Sequence, residues 1–147
     1  MNLKITTDKN QIKKITLLPG KLTENARKRL GRVLLVSAVN IAEGAKEEIQ
    51  RGAPRTGRLY RKVSGRLHRA SAPGEYPASD TGQLVNSIHA IKVSGLAVRV
   101  GSMAKHGKWL EEGTRHMKKR PWLEPEVRKE LPNLRKQILL AVGTGIK

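Results

Sequence analysis

The side chains best suited to metal binding or proton transfer are four histidines, His68, His89, His106 and His116. No two of them share helical ligand spacing, and the chain has no cysteine. Neither a histidine–thiolate metal site nor a thiol nucleophile is therefore encoded. The adjacent acids Glu47-Glu48 and Glu111-Glu112 are candidates for paired-carboxylate chemistry. Neighbours on a helix diverge by about 100°, so they cannot face one another across a substrate. They read instead as ion-pair members in a basic protein. Asp8 and Asp80 are the only aspartates and lie far apart, which leaves no acidic cluster for a metal-dependent nuclease. Gly-x-Ser-x-Gly, the phosphate-loop pattern and Gly-x-Gly-x-x-Gly after a strand are absent. The expectation is a protein that is not an enzyme and uses no cofactor and no metal.

What remains is binding, and charge points the same way. The 147 residues carry 30 Lys+Arg against 12 Asp+Glu, a net charge of +18. The basic excess is 5 over residues 1–50, 7 over 51–104 and 6 over 105–147, so it belongs to a folded body and not to a tail. Such a chain attracts polyanions and repels its own copies. No apolar run approaches the ~20 residues of a membrane span, and the start of the chain lacks the apolar stretch of a signal peptide. The length suits one domain, residues 1–147.

The elements that must position any binding surface can be read from periodicity. Leu3, Ile5 and Thr7 alternate with polar neighbours and predict a short first strand. After the break at Pro19-Gly20, Thr23 is placed to cap a helix starting at Glu24. Ala26, Leu30, Val33, Leu34, Ala38, Ile41, Ala45 and Ile49 keep three-and-four spacing until Gly52 and Pro54 stop it. Gly31 and Gly44 inside this helix mark close packing or a bend. From Ile88 the pattern turns to alternation, with Ser94-Gly95 as the turn of a β-hairpin, and Gln83–Ser87 is a helical turn or part of the strand. Lys108–Glu112 predicts a short helix stopped by Gly113. Pro121 and Pro125 suit the first turn of a last helix, which Pro132 should kink or divide. The fold class is α+β: a small antiparallel sheet with the long helix across it and a C-terminal helix docked on the sheet by Trp122 and Leu123.

Between the long helix and the hairpin, residues 52–82 lose apolar periodicity and read as an extended basic arm or loop. Six basic residues and no acid lie between Gly52 and Ala70: Arg55, Arg58, Arg61, Lys62, Arg66 and Arg69, with Tyr60 among them. A short pattern recurs as Thr56-Gly57-Arg58-Leu59-Tyr60-Arg61, Ser64-Gly65-Arg66-Leu67-His68-Arg69 and Thr81-Gly82-Gln83-Leu84, too irregularly for a solenoid. The arm can track a phosphate backbone or meet an acidic protein. Base stacking needs aromatic platforms, and the chain has only 2 Trp and 2 Tyr.

Three pieces in order carry a family resemblance: the long helix ending at Gly52-Ala53-Pro54; Asp80-Thr81-Gly82-Gln83-Leu84; and Trp109-Leu110-Glu111-Glu112-Gly113-Thr114 followed by Arg120-Pro121-Trp122-Leu123-Glu124-Pro125. Over roughly residues 22–140 the chain resembles the minor tail-component, or neck and tail-completion, family of long-tailed lambdoid bacteriophages. The family often passes almost directly from the helix-ending proline to the Asp-Thr-Gly turn, whereas Arg55 to Ser79 intervenes here. Trp122 stands where Phe is common. The residues matching the family pattern are Pro54, Asp80, Thr81, Gly82, Leu84, Trp109, Glu112, Gly113, Thr114, Arg120, Pro121, Trp122 and Leu123, read as scaffold. The resemblance implies a structural virion protein of the neck, assembled in the host cytoplasm as a ring of itself, with six copies matching tail symmetry. Its implied partners are the connector or stopper and the tail-terminator or tail-tube proteins, with non-specific contact to packaged DNA as a further contact and no membrane. The alternative is a basic domain that binds nucleic acid non-specifically.

Overall fold

The computed structural model describes residues 2–7, 13–18, 22–51 and 55–143. In chain order the elements are β1 (Asn2–Thr7), β2 (Lys13–Leu18), α1 (Glu24–Arg51), β3 (Leu59–Arg61), β4 (Leu67–Arg69), α2 (Gln83–Ser87), β5 (Ile88–Ser94), β6 (Ala97–Ser102), α3 (Lys105–Glu112) and α4 (Glu124–Gly143). The architecture is α+β.

α1 starts where its cap predicts. Thr23 Oγ1 accepts a hydrogen bond from the Ala26 amide at 3.3 Å, which satisfies one of the helix's free amides. The 28 residues that follow span about 42 Å. Leu30, Leu34, Ala38, Ile41, Ala45 and Ile49 are buried, so the apolar stripe faces the core. Both helix glycines sit at close approaches. A Cβ on Gly31 would lie 2.5 Å from the Gly95 carbonyl oxygen in the β5–β6 turn, and one on Gly44 would lie 2.5 Å from Glu126 Oε2 on α4. The glycines let α1 touch the sheet with one face and α4 with another.

The main sheet has 4 antiparallel strands in the order β1-β2-β6-β5. Lys13–Leu18 was not anticipated as a strand; it inserts between β1 and β6 and widens the expected ribbon. Pairing of Ala90 with Val100, and of Ile88 with Ser102, puts Ile88, Ala90, Val98 and Val100 on the face that packs under α1.

The last helix differs from expectation in where it docks and in that Pro132 leaves it undivided. It packs along α1, not on the sheet, through Val127, Leu134, Ile138 and Ala141. Asn40 Nδ2 donates to Glu130 Oε1 across this contact at 3.2 Å. Pro132 does not divide it: α4 is a single helix of 20 residues. Proline removes the amide that would bond to the Arg128 carbonyl, and both residues lie on the solvent side, where water replaces the lost donor. Pro121 precedes the helix, and only Pro125 lies in its first turn. No helix among the described residues is long and apolar enough to cross a membrane.

Candidate functional site: a clasped scaffold and an exposed basic hairpin

The buried part of the site is built around one carboxylate. Glu111, near the end of α3, is buried and accepts three backbone amides at the start of α4. Oε2 takes Trp122 N at 2.7 Å and Leu123 N at 2.9 Å, while Oε1 takes Glu124 N at 2.8 Å. The first amides of a helix have no partner within it, and a negative group there also meets the positive end of the helix dipole. Glu111 is thus an N-terminal cap supplied from another helix, not the surface ion-pair member its sequence suggests. Trp122 is buried beside it and donates Nε1 to the Gly107 carbonyl at 2.9 Å, so it docks on α3 and not on the sheet. Gly107 lets α3 lie close to α2 and β6, since a Cβ there would meet Leu84 Cδ1 at 3.2 Å and Ser102 Oγ at 3.1 Å. Gly113 ends α3 at φ 83, donating its amide to Trp109 O at 2.9 Å. Thr114 closes the next turn against Met117, and Arg120 N returns to Leu110 O at 2.6 Å. The two sequence boxes at 109–114 and 120–125 form one clasp.

The Asp-Thr-Gly segment sits on the opposite wall. Gly82 has φ 76, a conformation that glycine adopts without strain, and leads into α2, whose Leu84 is buried. Thr81 Oγ1 accepts from Gln83 N at 3.4 Å. Asp80 forms an ion pair with Lys62. Lys62 is therefore a tether between the basic segment and the body, and Pro54 lies outside the described residues.

Within residues 52–82, expected as an extended basic arm or loop, 59–69 form a β-hairpin and 70–82 are loop. The first two copies of the recurrent pattern are strands β3 and β4, paired as Leu59 with Arg69, Tyr60 with His68 and Arg61 with Leu67. The repeat is the signature of a hairpin: equivalent positions fall on the same face. Tyr60 and His68 share one face, His68 buried and Tyr60 41 % exposed, and meet edge to face with ring centroids 5.3 Å apart. Burial, reinforced by Lys62 and Arg55, holds the His68 pKa below its ordinary value. Leu59, Arg61, Leu67 and Arg69 turn outward and are exposed, with Arg58, Val63 and Arg66 also exposed.

The base of this hairpin is stitched into the body. Gly57 N donates to Ala70 O at 3.1 Å, and Gly74 N to Lys119 O at 3.0 Å. Arg120 Nε donates to Ser71 O at 3.0 Å. Glu75 accepts from Ala72 N at 2.6 Å, Thr56 N at 3.2 Å and the Thr56 hydroxyl, and these bonds lower its pKa. Tyr76 donates its hydroxyl to the buried Glu126, which also receives Lys129 Nζ at 2.6 Å. Burial and this acceptor push the Tyr76 pKa up to about 12. Glu75, Tyr76, Glu111 and Glu126 were not singled out from sequence as contact makers; the spacing of acids to distant amides and hydroxyls carries no local signal.

A cavity of about 290 Å³ lies between the inner face of the hairpin and the body, lined among others by Tyr60, His68, Pro77, Leu84, His106 and Arg120. Its one acidic lining residue, Asp80, is paired with Lys62. No group of three or more metal-ligating side chains occurs among the described residues. The two remaining family-pattern residues on α3, Trp109 at 51 % and Glu112, have exposed side chains outside the clasp core.

Residues 20–113 match the HK97-gp10-like family, described as bacteriophage HK97-gp10 tail component. The match includes α1, the hairpin, Asp80-Thr81-Gly82 and the end of α3, and stops before the Arg120–Pro125 box. No curated protein and no solved structure matches the chain.

Proposed function

We propose, from the premise that this chain belongs to the HK97-gp10-like family of bacteriophage tail components, that it is a structural protein of the phage neck. Copies form a ring that completes or joins the head–tail interface, with connector or stopper proteins on one side and tail-terminator or tail-tube proteins on the other. It acts by stoichiometric binding without turnover. The observation that carries this reading is the division of labour among its residues. The polar groups of the family-pattern segments are largely engaged inside the scaffold, while the inserted hairpin leaves leucines and arginines uncovered. A surface of that kind binds a partner; it offers no apparatus for bond making.

Six copies at +18 each would carry about +108, which needs anions nearby. Acidic partner surfaces meet that need without hindering DNA ejection. Particles produced without this chain should contain filled heads and separate tails. Normal joining and infection in its absence would remove the reading.

The exposed arginines of the hairpin favour one second reading, non-specific binding to nucleic acid. Its mark is affinity for any duplex that falls steeply with salt, shown by a monomer that forms no ring.

A further inference from the structure

Exposed apolar side chains gather on two surfaces, one of graded charge and one basic. The first is on α1, where Leu35, Val36 and Val39 are exposed, Val36 at 58 % and Val39 at 44 %. At 100° per residue these three share an arc of about 100° with Arg32 and Glu43, turned away from both the sheet and α4. Charge changes along that face. Lys28 and Arg32 lie toward its N-terminal end, and Glu43 and Glu47 lie toward its C-terminal end, all exposed. Glu43 receives Lys46 Nζ at 2.8 Å, an exposed pair that holds it weakly.

The second surface is the outer face of the hairpin. Leu59 stands across from Arg69 and Arg61 across from Leu67, so leucine and arginine alternate in both directions. Leu67 is 62 % exposed. Arg61 Nη1 donates to Gly65 O at 2.9 Å and Arg69 Nη1 to Gly57 O at 3.3 Å. These carbonyls orient the guanidinium groups and leave their charge available to a carboxylate.

We propose that the outer face of the β3–β4 hairpin of one copy docks on the exposed face of α1 of the next copy. Leu59 and Leu67 cover Val36 and Val39, while Arg61 and Arg69 reach Glu43 and Glu47. Chemistry selects this occupant over DNA: phosphates would satisfy the arginines and leave both leucines in water, whereas the α1 face satisfies both. The graded charge orients the hairpin toward the acidic end and away from Lys28 and Arg32. Donor and acceptor surfaces differ, so the contact is heterologous and propagates from copy to copy, closing where the rotation closes. The inference rests on the ring reading and names the interface that makes the ring.

The test uses two charge reversals in the full chain, Arg61→Glu with Arg69→Glu, and Glu43→Arg with Glu47→Arg. Sedimentation and native mass spectrometry read assembly, and thermal unfolding confirms that each variant folds. Each variant alone should associate about 100-fold more weakly than the wild type. An equimolar mixture of the two should assemble, because each reversed surface then finds its reversed partner. The chain has no cysteine, so Val39→Cys in one copy and Leu67→Cys in another should yield one intermolecular disulfide and no other product. Variants that associate like the wild type, or a mixture that stays monomeric, would overturn the interface and leave the ring standing. A wild-type chain that is monomeric at every concentration would overturn both. Loss of DNA binding by the hairpin variant with association intact would make nucleic acid the occupant and overturn the interface.

Discussion

The Glu111 clasp and the β3–β4 hairpin treat the same kinds of residue in opposite ways. In the clasp, charge is buried and fully engaged: one carboxylate holds three amides, and Trp122 both fills the core and donates its indole N–H. On the hairpin, Leu59 and Leu67 stay in solvent and Arg61 and Arg69 touch only carbonyls. Burial makes the clasp costly to change and irrelevant to partners. Exposure makes the hairpin cheap to change and available to partners. The comparison separates the residues engaged in the fold from those the fold leaves exposed.

Substitutions sharpen that contrast, beginning with the clasp. Glu111→Ala leaves three amides without an acceptor, two of those bonds buried, and should cost about 3 kcal/mol, lowering the melting midpoint by roughly 10 °C. Calorimetry checks this, and a loss no larger than that of a surface substitution would dissolve the clasp. Gly31→Ala forces a methyl against the Gly95 carbonyl and should cost about 2 kcal/mol in the same measurement, since backbone and not a flexible side chain must give way.

Tyr76→Phe removes one hydrogen bond to Glu126 and should cost about 1 kcal/mol near neutral pH. It should also change the alkaline limb. The folded Tyr76 pKa is raised from 10.0 to about 12, so the folded state holds its proton more tightly. That contribution is whole below pH 10 and is lost as pH rises toward 12. The wild-type stability should therefore fall more steeply than the variant's between those values, in denaturant titrations run at each pH. Lys129 is shifted upward by the same Glu126 and acts with the same sign in both proteins.

The Glu75 carboxyl is shifted downward by the Thr56 and Ala72 bonds. Its support of the hairpin base is present above the ordinary carboxylate range and is lost as pH falls through its lowered value. The protection factors of the Thr56 and Ala72 amides, exchange rates taken relative to the intrinsic rate at each pH, should fall in acid, and Glu75→Gln should remove most of that pH dependence. The smallest effect on folding belongs to Leu67→Ser, expected within about 0.5 kcal/mol of the wild type. A larger loss would mean that the hairpin serves the fold, contrary to the contrast drawn above.

Much of this was legible in the sequence where order is local. Thr23, the apolar stripe from Ala26 to Ile49 and the break after Arg51 define α1 because capping and periodicity act within a few residues. The turn before Leu96 and the stop at Gly113 read equally well. β2 was passed over because Lys13–Leu18 is short and its pairing with β6 is distant in the chain. The hairpin shows in the sequence as a recurrent pattern yet reads as an arm or loop, since three-residue strands give too little alternation to recognise. Glu111 was misjudged for a different reason. Nothing in Leu110-Glu111-Glu112-Gly113 indicates that its partners are amides some eleven residues later, a fact set by how α3 and α4 meet. Pro132 does not divide α4 because its cost falls when the orphaned carbonyl faces water.

The central claim is that the hairpin's outer face serves assembly and not folding. The most direct test is to produce particles with a chain carrying Arg61→Glu and Arg69→Glu, and to measure that chain's melting midpoint beside the yield of joined heads and tails. The account predicts a midpoint equal to the wild type's with heads and tails left apart. Joined, infectious particles at wild-type yield, or a chain that no longer folds, would contradict it.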